Sequence, residues 1–223
     1  MKIKLPVLII NLKEYEEVLG ERAIKFAKIA KKLSKKFNIS ILIAPPPPLL
    51  DEVAKITLTI SQHIDPYEPG AHTGALLAKE VKVLGGIGSL INHSEKRITF
   101  EEIKKCIKLC KKYKLISIVC SKDIREAKKI AKLKPDFIAI EPPELIGGEV
   151  SISTAKPQII EKTVKAVKKI SKNTVVLCGA GIKSKEDVKK AMELGAKGIL
   201  VASGVVKSKN IEKSMKELIK GML

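Results

Sequence analysis

One stretch of this chain, FIAIEPPELIGG at residues 137–148, indicates both a kind of fold and a kind of site. Its first four residues are apolar, as in a strand of a parallel sheet that is buried on both faces. Glu141 follows that strand directly, and the two prolines after it stiffen the chain because they fix φ and lack an N–H. Gly147-Gly148 suits a hinge. A carboxylate at a rigid strand end beneath a hinged segment has the placement of a shielded acid–base catalyst, although an ordinary solvated Glu would occupy a similar position.

Seven further short apolar runs have the same character, and helical patterns separate them. The expected strands are 5–10, 39–43, 58–61, 89–91, 116–120, 137–140, 175–177 and 198–201. Alternating strands and helices imply a parallel sheet. Eight such units in 223 residues predict an α/β fold of the closed (β/α)8 barrel type, with a doubly wound open sheet as the alternative. No stretch resembles a linker, so residues 1–223 are expected to form a single domain.

Composition argues against several classes of protein. No apolar run approaches the roughly 18 residues that span a bilayer, so we expect no membrane partner and a cytoplasmic location. The net charge is +19, but the lysines are spread over many predicted helices and aromatic residues are few, which favours a solvated surface over nucleic-acid binding. Cys106 and Cys110 share the apolar stripe of one helix, and we expect them to pack in the core rather than bind metal.

Polar and small residues recur at the predicted strand ends, where a (β/α)8 barrel has its active site. They are Asn11 and Lys13 after strand one, His93 and Glu95 after strand four, Glu141 after strand six, Gly179-Ala180-Gly181 after strand seven and Ala202-Ser203-Gly204 after strand eight. Small residues ahead of a helix let backbone N–H groups approach an anion. Because the last two loops commonly bind phosphate in this fold, we expect a phosphorylated ligand there.

The remaining strand-end residues indicate proton-transfer chemistry. Glu141 is a candidate acid or base, His93 can polarise a carbonyl or shuttle protons, and Lys13 can stabilise an oxyanion. Neither zinc-ligand nor nucleophile spacing is present, so neither a metal nor a cofactor is expected. Two other functions stay open at this point: a barrel isomerase or synthase acting on a larger sugar phosphate, and a basic nucleic-acid-binding barrel, which would leave Glu141 without a role.

Three motifs together resemble the signature of the triosephosphate isomerase family. They are Asn11-x-Lys13, His93-Ser94-Glu95-Lys96-Arg97 and Glu141-Pro142 ahead of a glycine-containing flap, and their order and spacing match over nearly the whole chain. The resemblance implies a TIM barrel that interconverts dihydroxyacetone phosphate and D-glyceraldehyde 3-phosphate through an enediolate, in glycolysis and gluconeogenesis. It implies that this small phosphorylated triose is the substrate.

The resemblance also implies roles for individual residues. Glu141 would be the base that moves a proton between C1 and C2, His93 the neutral electrophile, and Lys13 the stabiliser of the enediolate. Asn11 would lie beside Lys13, and Glu95 would be an accessory carboxylate. Backbone amides would bind the phosphate around Ile146, Gly147, Gly181, Ala202 and Ser203.

The chain departs from the common family pattern in its loops and its length. The flap reads Pro-Pro-Glu-Leu without a tryptophan, loop seven reads Cys-Gly-Ala-Gly, and loop eight reads Ala-Ser-Gly. These features resemble the compact archaeal branch, whose members are tetramers, so a homotetramer is implied, with a dimer as the alternative. Thr73 is similar to the residue that docks into a neighbouring subunit. The departures affect the expected phosphate contacts more than the expected chemistry.

Overall fold

The computed structural model describes residues 3–142 and 157–223, and their strands close into a parallel barrel. The eight strands are β1 Val7–Asn11, β2 Ser40–Ala44, β3 Leu58–Ser61, β4 Gly88–Ile91, β5 Ile116–Ser121, β6 Phe137–Ile140, β7 Val175–Cys178 and β8 Gly198–Val201. Each strand pairs with the next in the chain, and β8 pairs with β1 through Gly198 and Val7. The (β/α)8 prediction is confirmed, and the open-sheet alternative is wrong because no edge remains between β1 and β8.

Helices follow the strands on the outside of the barrel. Those in the described residues are α1 Arg22–Phe37, α2 Leu50–Ala54, α3 Ala78–Val83, α4 Phe100–Lys112, α5 Ile124–Ala131, α6 Pro157–Ile170, α7 Lys185–Glu193, α8 Ser203–Val206 and α9 Ile211–Met222. Two turns of 3-10 helix lie at Glu16–Val18 and Pro47–Leu49. The sequence Thr99-Phe100-Glu101-Glu102 predicts a capping box at the start of α4. The structure confirms it: Thr99 Oγ1 accepts the Glu102 N–H, and the Glu102 carboxylate accepts the Thr99 N–H at 2.7 Å.

The observed elements differ from the predicted ones in a few places. The sequence predicts a helix over 75–84, but α3 begins at Ala78, because Leu76 exchanges two hydrogen bonds with Asp65, one with its backbone and one with its carboxylate. The four prolines at 45–48 predict a polyproline turn, and the structure has a 3-10 turn at Pro47–Leu49 in its second half. The short helix α8 was not expected, since it follows β8 directly and contains a glycine.

Strand residues alternate between two hydrophobic layers, as the pleat of a strand requires. Ile9 and its counterparts on the other strands fill the barrel interior, whereas Ile10 packs in the layer between the barrel and the helices. Cys106 and Cys110 belong to that outer layer, so the prediction of core packing is confirmed. The Cys106 thiol donates a hydrogen bond to the Ile64 carbonyl at 3.4 Å.

Two further findings apply to the described part of the chain. None of its helices is both long enough and apolar enough to cross a membrane. It also contains no cluster of three His, Cys, Asp or Glu side chains arranged to hold a metal ion.

Candidate active site

A cavity of about 300 Å³ opens at the carboxyl ends of the strands. It brings together most of the residues that the sequence singled out, because the ends of parallel strands meet at one rim of the barrel. Its lining includes Asn11, Lys13, His93, Glu95, Glu141, Gly181, Ala202 and Ser203. Ile146 and Gly147, the other two predicted phosphate-binding residues, lie outside the described residues, as does the Gly147-Gly148 hinge.

Glu141 is buried at the end of β6, with only 2% of its surface exposed. Its backbone N–H donates to the Ser121 carbonyl at 2.8 Å, which continues the pairing of β5 with β6 by one residue. Burial raises the pKa of Glu141 to about 7. The Cys120 thiol, the charges of Arg97 and Lys13 and the Ser94 backbone lower this pKa by less. The carboxylate is therefore poised to exchange a proton near neutral pH.

His93 faces Glu141 across the cavity. The two side chains approach to 3.8 Å between Nε2 and Oε1, too far for a direct hydrogen bond. On the other side of the ring, Nδ1 accepts the Glu95 N–H at 3.2 Å, so a neutral ring carries its proton on Nε2. Burial, followed by the charge of Lys13, lowers the pKa of His93 to about 4. The imidazole is neutral at physiological pH and presents an N–H toward Glu141.

Lys13 adopts an unusual backbone conformation at the end of β1, with φ at +52°. Two hydrogen bonds hold that conformation. The side-chain oxygen of Asn11 accepts the Lys13 N–H at 3.0 Å, and the Gln62 amide donates to the Lys13 carbonyl at 2.9 Å. The Lys13 ammonium then lies 2.7 Å from the Glu95 carboxylate. Asn11 thus fixes the backbone of Lys13, and Glu95 fixes its ammonium group.

The loops after β7 and β8 add backbone donors to the same cavity. Gly181 has φ at +66°, a conformation that glycine adopts without strain. The N–H groups of Gly181, Ser203 and Gly204 have no protein acceptor in residues 3–142 and 157–223. Helix α8 begins at Ser203, so two of these donors belong to an unsatisfied first turn. An anion of phosphate size is suited to this set of donors.

The structure shows features of the site that the sequence prediction did not include. The Ser94 hydroxyl is buried and has no hydrogen-bond partner in the described residues. The same holds for Oε2 of Glu141. Gln62 directly follows β3 and Asn92 directly follows β4, so the strand-end rule that selected His93 would have found both. A side chain on Gly179 would place its Cβ 2.6 Å from the Glu141 Cγ, so the Glu141 side chain would have to shift to accommodate it. No sequence pattern reveals that contact.

Comparison with known proteins gives consistent matches over the whole length of the chain. A profile of the family described as Triosephosphate isomerase matches residues 6–220. The Triosephosphate isomerase of Methanocaldococcus jannaschii is 49% identical over 216 residues, which cover 96% of this chain and 99% of that protein. Those of Methanothermus fervidus and Caldivirga maquilingensis are 45% and 42% identical, and the alignments cover 97% and 99% of this chain and 99% of each relative. These relatives are archaeal, as the resemblance implied.

Proposed function

The chain belongs to the triosephosphate isomerase family, and on that premise we propose that Glu141, His93 and Lys13 carry out its reaction. That reaction interconverts dihydroxyacetone phosphate and D-glyceraldehyde 3-phosphate. One observation carries the assignment: the Glu141 carboxylate, the His93 imidazole and the Lys13 ammonium group line one cavity, together with N–H groups that have no acceptor in the described residues. Burial supports it, because it raises the pKa of Glu141 to about 7 and lowers that of His93 to about 4. From the same premise we propose a cytoplasmic enzyme of glycolysis and gluconeogenesis.

Glu141 is the base in this proposal. Its carboxylate removes a proton from C1 of dihydroxyacetone phosphate, and the electron pair of the broken C–H bond forms the C1–C2 double bond of the enediolate. The same proton, or one exchanged for it, then returns to C2 to give the aldose. A pKa of about 7 suits both directions, because the carboxylate is ionised enough to accept a proton and acidic enough, once protonated, to return it.

His93 and Lys13 stabilise the charge that develops on the substrate oxygens. The Nε2–H of neutral His93 donates to the carbonyl oxygen and passes protons between the two oxygens of the enediolate. Lys13 contributes a fixed positive charge beside the same oxygens, where a cation held in advance lowers the barrier most effectively. Asn11 and Glu95 act through Lys13 by holding its backbone and its ammonium group.

The phosphate group of the substrate occupies the part of the cavity lined by the loops after β7 and β8. The N–H groups of Gly181 and Ser203, with Ala202 beside them, are the described donors that we assign to it. Ile146 and Gly147 remain proposed contacts from outside the described residues. Anchoring the non-reacting end of the substrate aligns C1 and C2 with the base, which converts binding energy into orientation.

The direct test is turnover of dihydroxyacetone phosphate by the purified protein without added metal or cofactor. We expect fast conversion that persists in a chelator, since proton transfer here uses only side chains of the chain itself. Pentose and hexose phosphates serve as comparison substrates and should not be converted. A well-folded sample that is inactive on the triose but converts one of the larger sugar phosphates would contradict the proposal.

The pH dependence of kcat/KM provides a second test. Since burial raises the pKa of Glu141 to about 7, kcat/KM should fall as the pH drops through that value and the base becomes protonated. His93, with a pKa of about 4, should add no limb above pH 5. The substrate phosphate ionises near pH 6, roughly, and its titration by phosphorus NMR allows this contribution to be divided out. An enzymatic limb near the ordinary carboxyl pKa would contradict the role assigned to burial.

We also propose that the chain self-associates as a homotetramer, with a dimer as the smaller alternative. The loop residues 67–74 are all exposed and include Thr73. Glu68 anchors this loop to α4 through hydrogen bonds from Lys112 and Tyr113. A second cavity beside Lys13, of about 470 Å³, has room for a loop from a neighbouring copy. Light scattering on a size-exclusion column measures the mass directly, and a monomer would contradict this proposal.

A further inference from the structure

The loop between β4 and α4, which carries His93 and Glu95, is closed on itself by hydrogen bonds. Asn92 has φ at +60°, and its side-chain oxygen accepts the Ile98 N–H at 3.1 Å. Arg97 donates from Nη1 to the Asn92 carbonyl at 3.2 Å. Hydrogen bonds therefore join the two ends of the loop. The orientation of the His93 imidazole depends on which contacts fix this loop in place.

Glu126, on α5, holds the closed loop from outside. Its Oε1 accepts the Asn92 amide N–H at 3.4 Å, and its Oε2 accepts from Arg97 Nη1 at 3.3 Å and from the Lys122 N–H at 2.6 Å. The Asn92 amide also donates to the Cys120 carbonyl at 3.0 Å. The Glu126 side chain is 23% exposed, and that of Arg97 30%, so solvent screens this pair only in part.

We propose that Glu126 is a positioning residue for the reaction. Its carboxylate accepts hydrogen bonds from both Asn92 and Arg97, and it thereby fixes the loop that directs His93 toward Glu141. This inference rests on the proposed function of His93. Glu126 lies on a neighbouring helix and does not line the cavity, so it acts only through the loop. Its three acceptor contacts reach two different elements, which makes it the link between the β4–α4 loop and the start of α5.

The charge of Glu126 has a second effect through Arg97. Arg97 lowers the pKa of both His93 and Glu141, and the carboxylate 3.3 Å away partly compensates its charge. The other charged or titratable groups that act on the reacting pair are Lys13, Glu95 and Cys120. Without Glu126, the guanidinium would keep, among the described residues, only its hydrogen bond to the Asn92 carbonyl, and its charge would be less compensated.

The test compares Glu126→Ala with Glu126→Gln and with Asp123→Ala. We expect Glu126→Ala to lower kcat on the order of 10-fold to 100-fold, because a small misplacement of a catalytic group is costly. KM and the inhibition constant for inorganic phosphate should stay within about twofold, since the phosphate end of the site is untouched. Glu126→Gln keeps one acceptor oxygen but no charge, and it should lie between wild type and Glu126→Ala.

Asp123→Ala is the matched control on the same helix. Asp123 caps α5 by accepting the Glu126 N–H at 2.7 Å, so its loss weakens the helix without removing a contact to Arg97 or Asn92. We expect a lower melting temperature with kcat unchanged. Equal losses of kcat in Asp123→Ala and Glu126→Ala would overturn the proposal. If Glu126→Ala does not fold, a wild-type kcat in Glu126→Gln would overturn it as well.

Nitrogen NMR of the imidazoles separates this inference from the proposed function. The chain has three histidines, so the His93 ring signals can be assigned by substitution. Glu126→Ala should shift the His93 ring nitrogens and leave those of His63 and His72 in place. Unchanged His93 signals would overturn the positioning role even in an active isomerase. Shifted signals in a protein without isomerase activity would support the positioning contact and overturn the function instead.

Discussion

Glu141→Gln is expected to lower kcat by roughly 10²–10⁴-fold, because the amide cannot accept the substrate proton. Glutamine has nearly the same volume, so it fits beside Gly179 and Cys120 without rearranging the site. The inhibition constant for inorganic phosphate should change by no more than about twofold. Steady-state kinetics with this inhibitor separate the two effects, and near-normal turnover of Glu141→Gln would show that another residue is the base.

The same substitution has a second expected result, in stability. The pKa of Glu141 is raised in the folded protein to about 7, so folding favours its protonated form. The protonated carboxyl therefore makes its full contribution to the free energy of unfolding below its pKa in the unfolded chain, which is roughly 4.3. This contribution is lost as the pH rises through about 7. At pH 8 Glu141→Gln should therefore be more stable than wild type by about 3–4 kcal/mol, whereas at pH 4 the two should unfold alike. Equal stabilities at pH 8 would show that the carboxylate is not penalised by burial.

A matched control for Glu141→Gln is Glu14→Gln. Glu14 lines the second cavity beside Lys13, and burial also raises the pKa of its carboxyl, although less of the group is buried. It lies outside the cavity that contains His93 and Glu141 together. We expect kcat of Glu14→Gln within about twofold of wild type, which would show that removing a carboxyl near the rim is not itself harmful.

Lys13→Met should lower kcat/KM by about 10²–10³-fold, the usual effect of removing one group that stabilises a developing oxyanion. Methionine retains the length of the side chain but not its charge. Because Lys13 lowers the pKa values of both His93 and Glu141, each should rise in the variant. The acid limb of kcat/KM should then move to higher pH, and the His93 titration followed by NMR should move the same way.

Lys207→Met is the control for Lys13→Met. The ammonium group of Lys207 lies 4.6 Å from the centre of the Tyr15 ring, and that of Lys13 lies 5.7 Å from it. Lys13 lines the cavity and Lys207 does not, so Lys207→Met should have a small effect that vanishes at high salt. If the two variants lost the same amount of kcat/KM, the general positive field would explain the loss and the specific role of Lys13 would be wrong.

Local signals in the chain were sufficient to predict the barrel. β3, β6 and β8 were predicted with their observed bounds, because each is a short, mostly apolar run between polar residues or turns. Eight such runs that alternate with helical patterns leave few topologies. α3 was predicted too long because the pairing of Asp65 with Leu76 joins residues 11 positions apart, and hydrophobic periodicity does not report such contacts.

The site was predictable to the extent that its residues stand at strand ends. Lys13, His93 and Glu141 could be placed on one rim from the order of strands alone. Their protonation could not, because the pKa of Glu141 depends on burial by residues from neighbouring strands. The network of Asn92, Arg97 and Glu126 could not be predicted either. It joins a loop to a helix that begins more than 25 residues further along the chain, and local patterns do not report such contacts.

The contact between Gly179 and Glu141 limits how this enzyme can evolve or be redesigned. Gly179 belongs to the loop that also carries Gly181, a proposed phosphate contact, yet its lack of a side chain leaves room for Glu141, the proposed base. In this proposal one loop serves both ends of the substrate. Mutational libraries that seek recognition of other anions should therefore vary Ser203, which is exposed, and keep Gly179, where a side chain would displace that of Glu141.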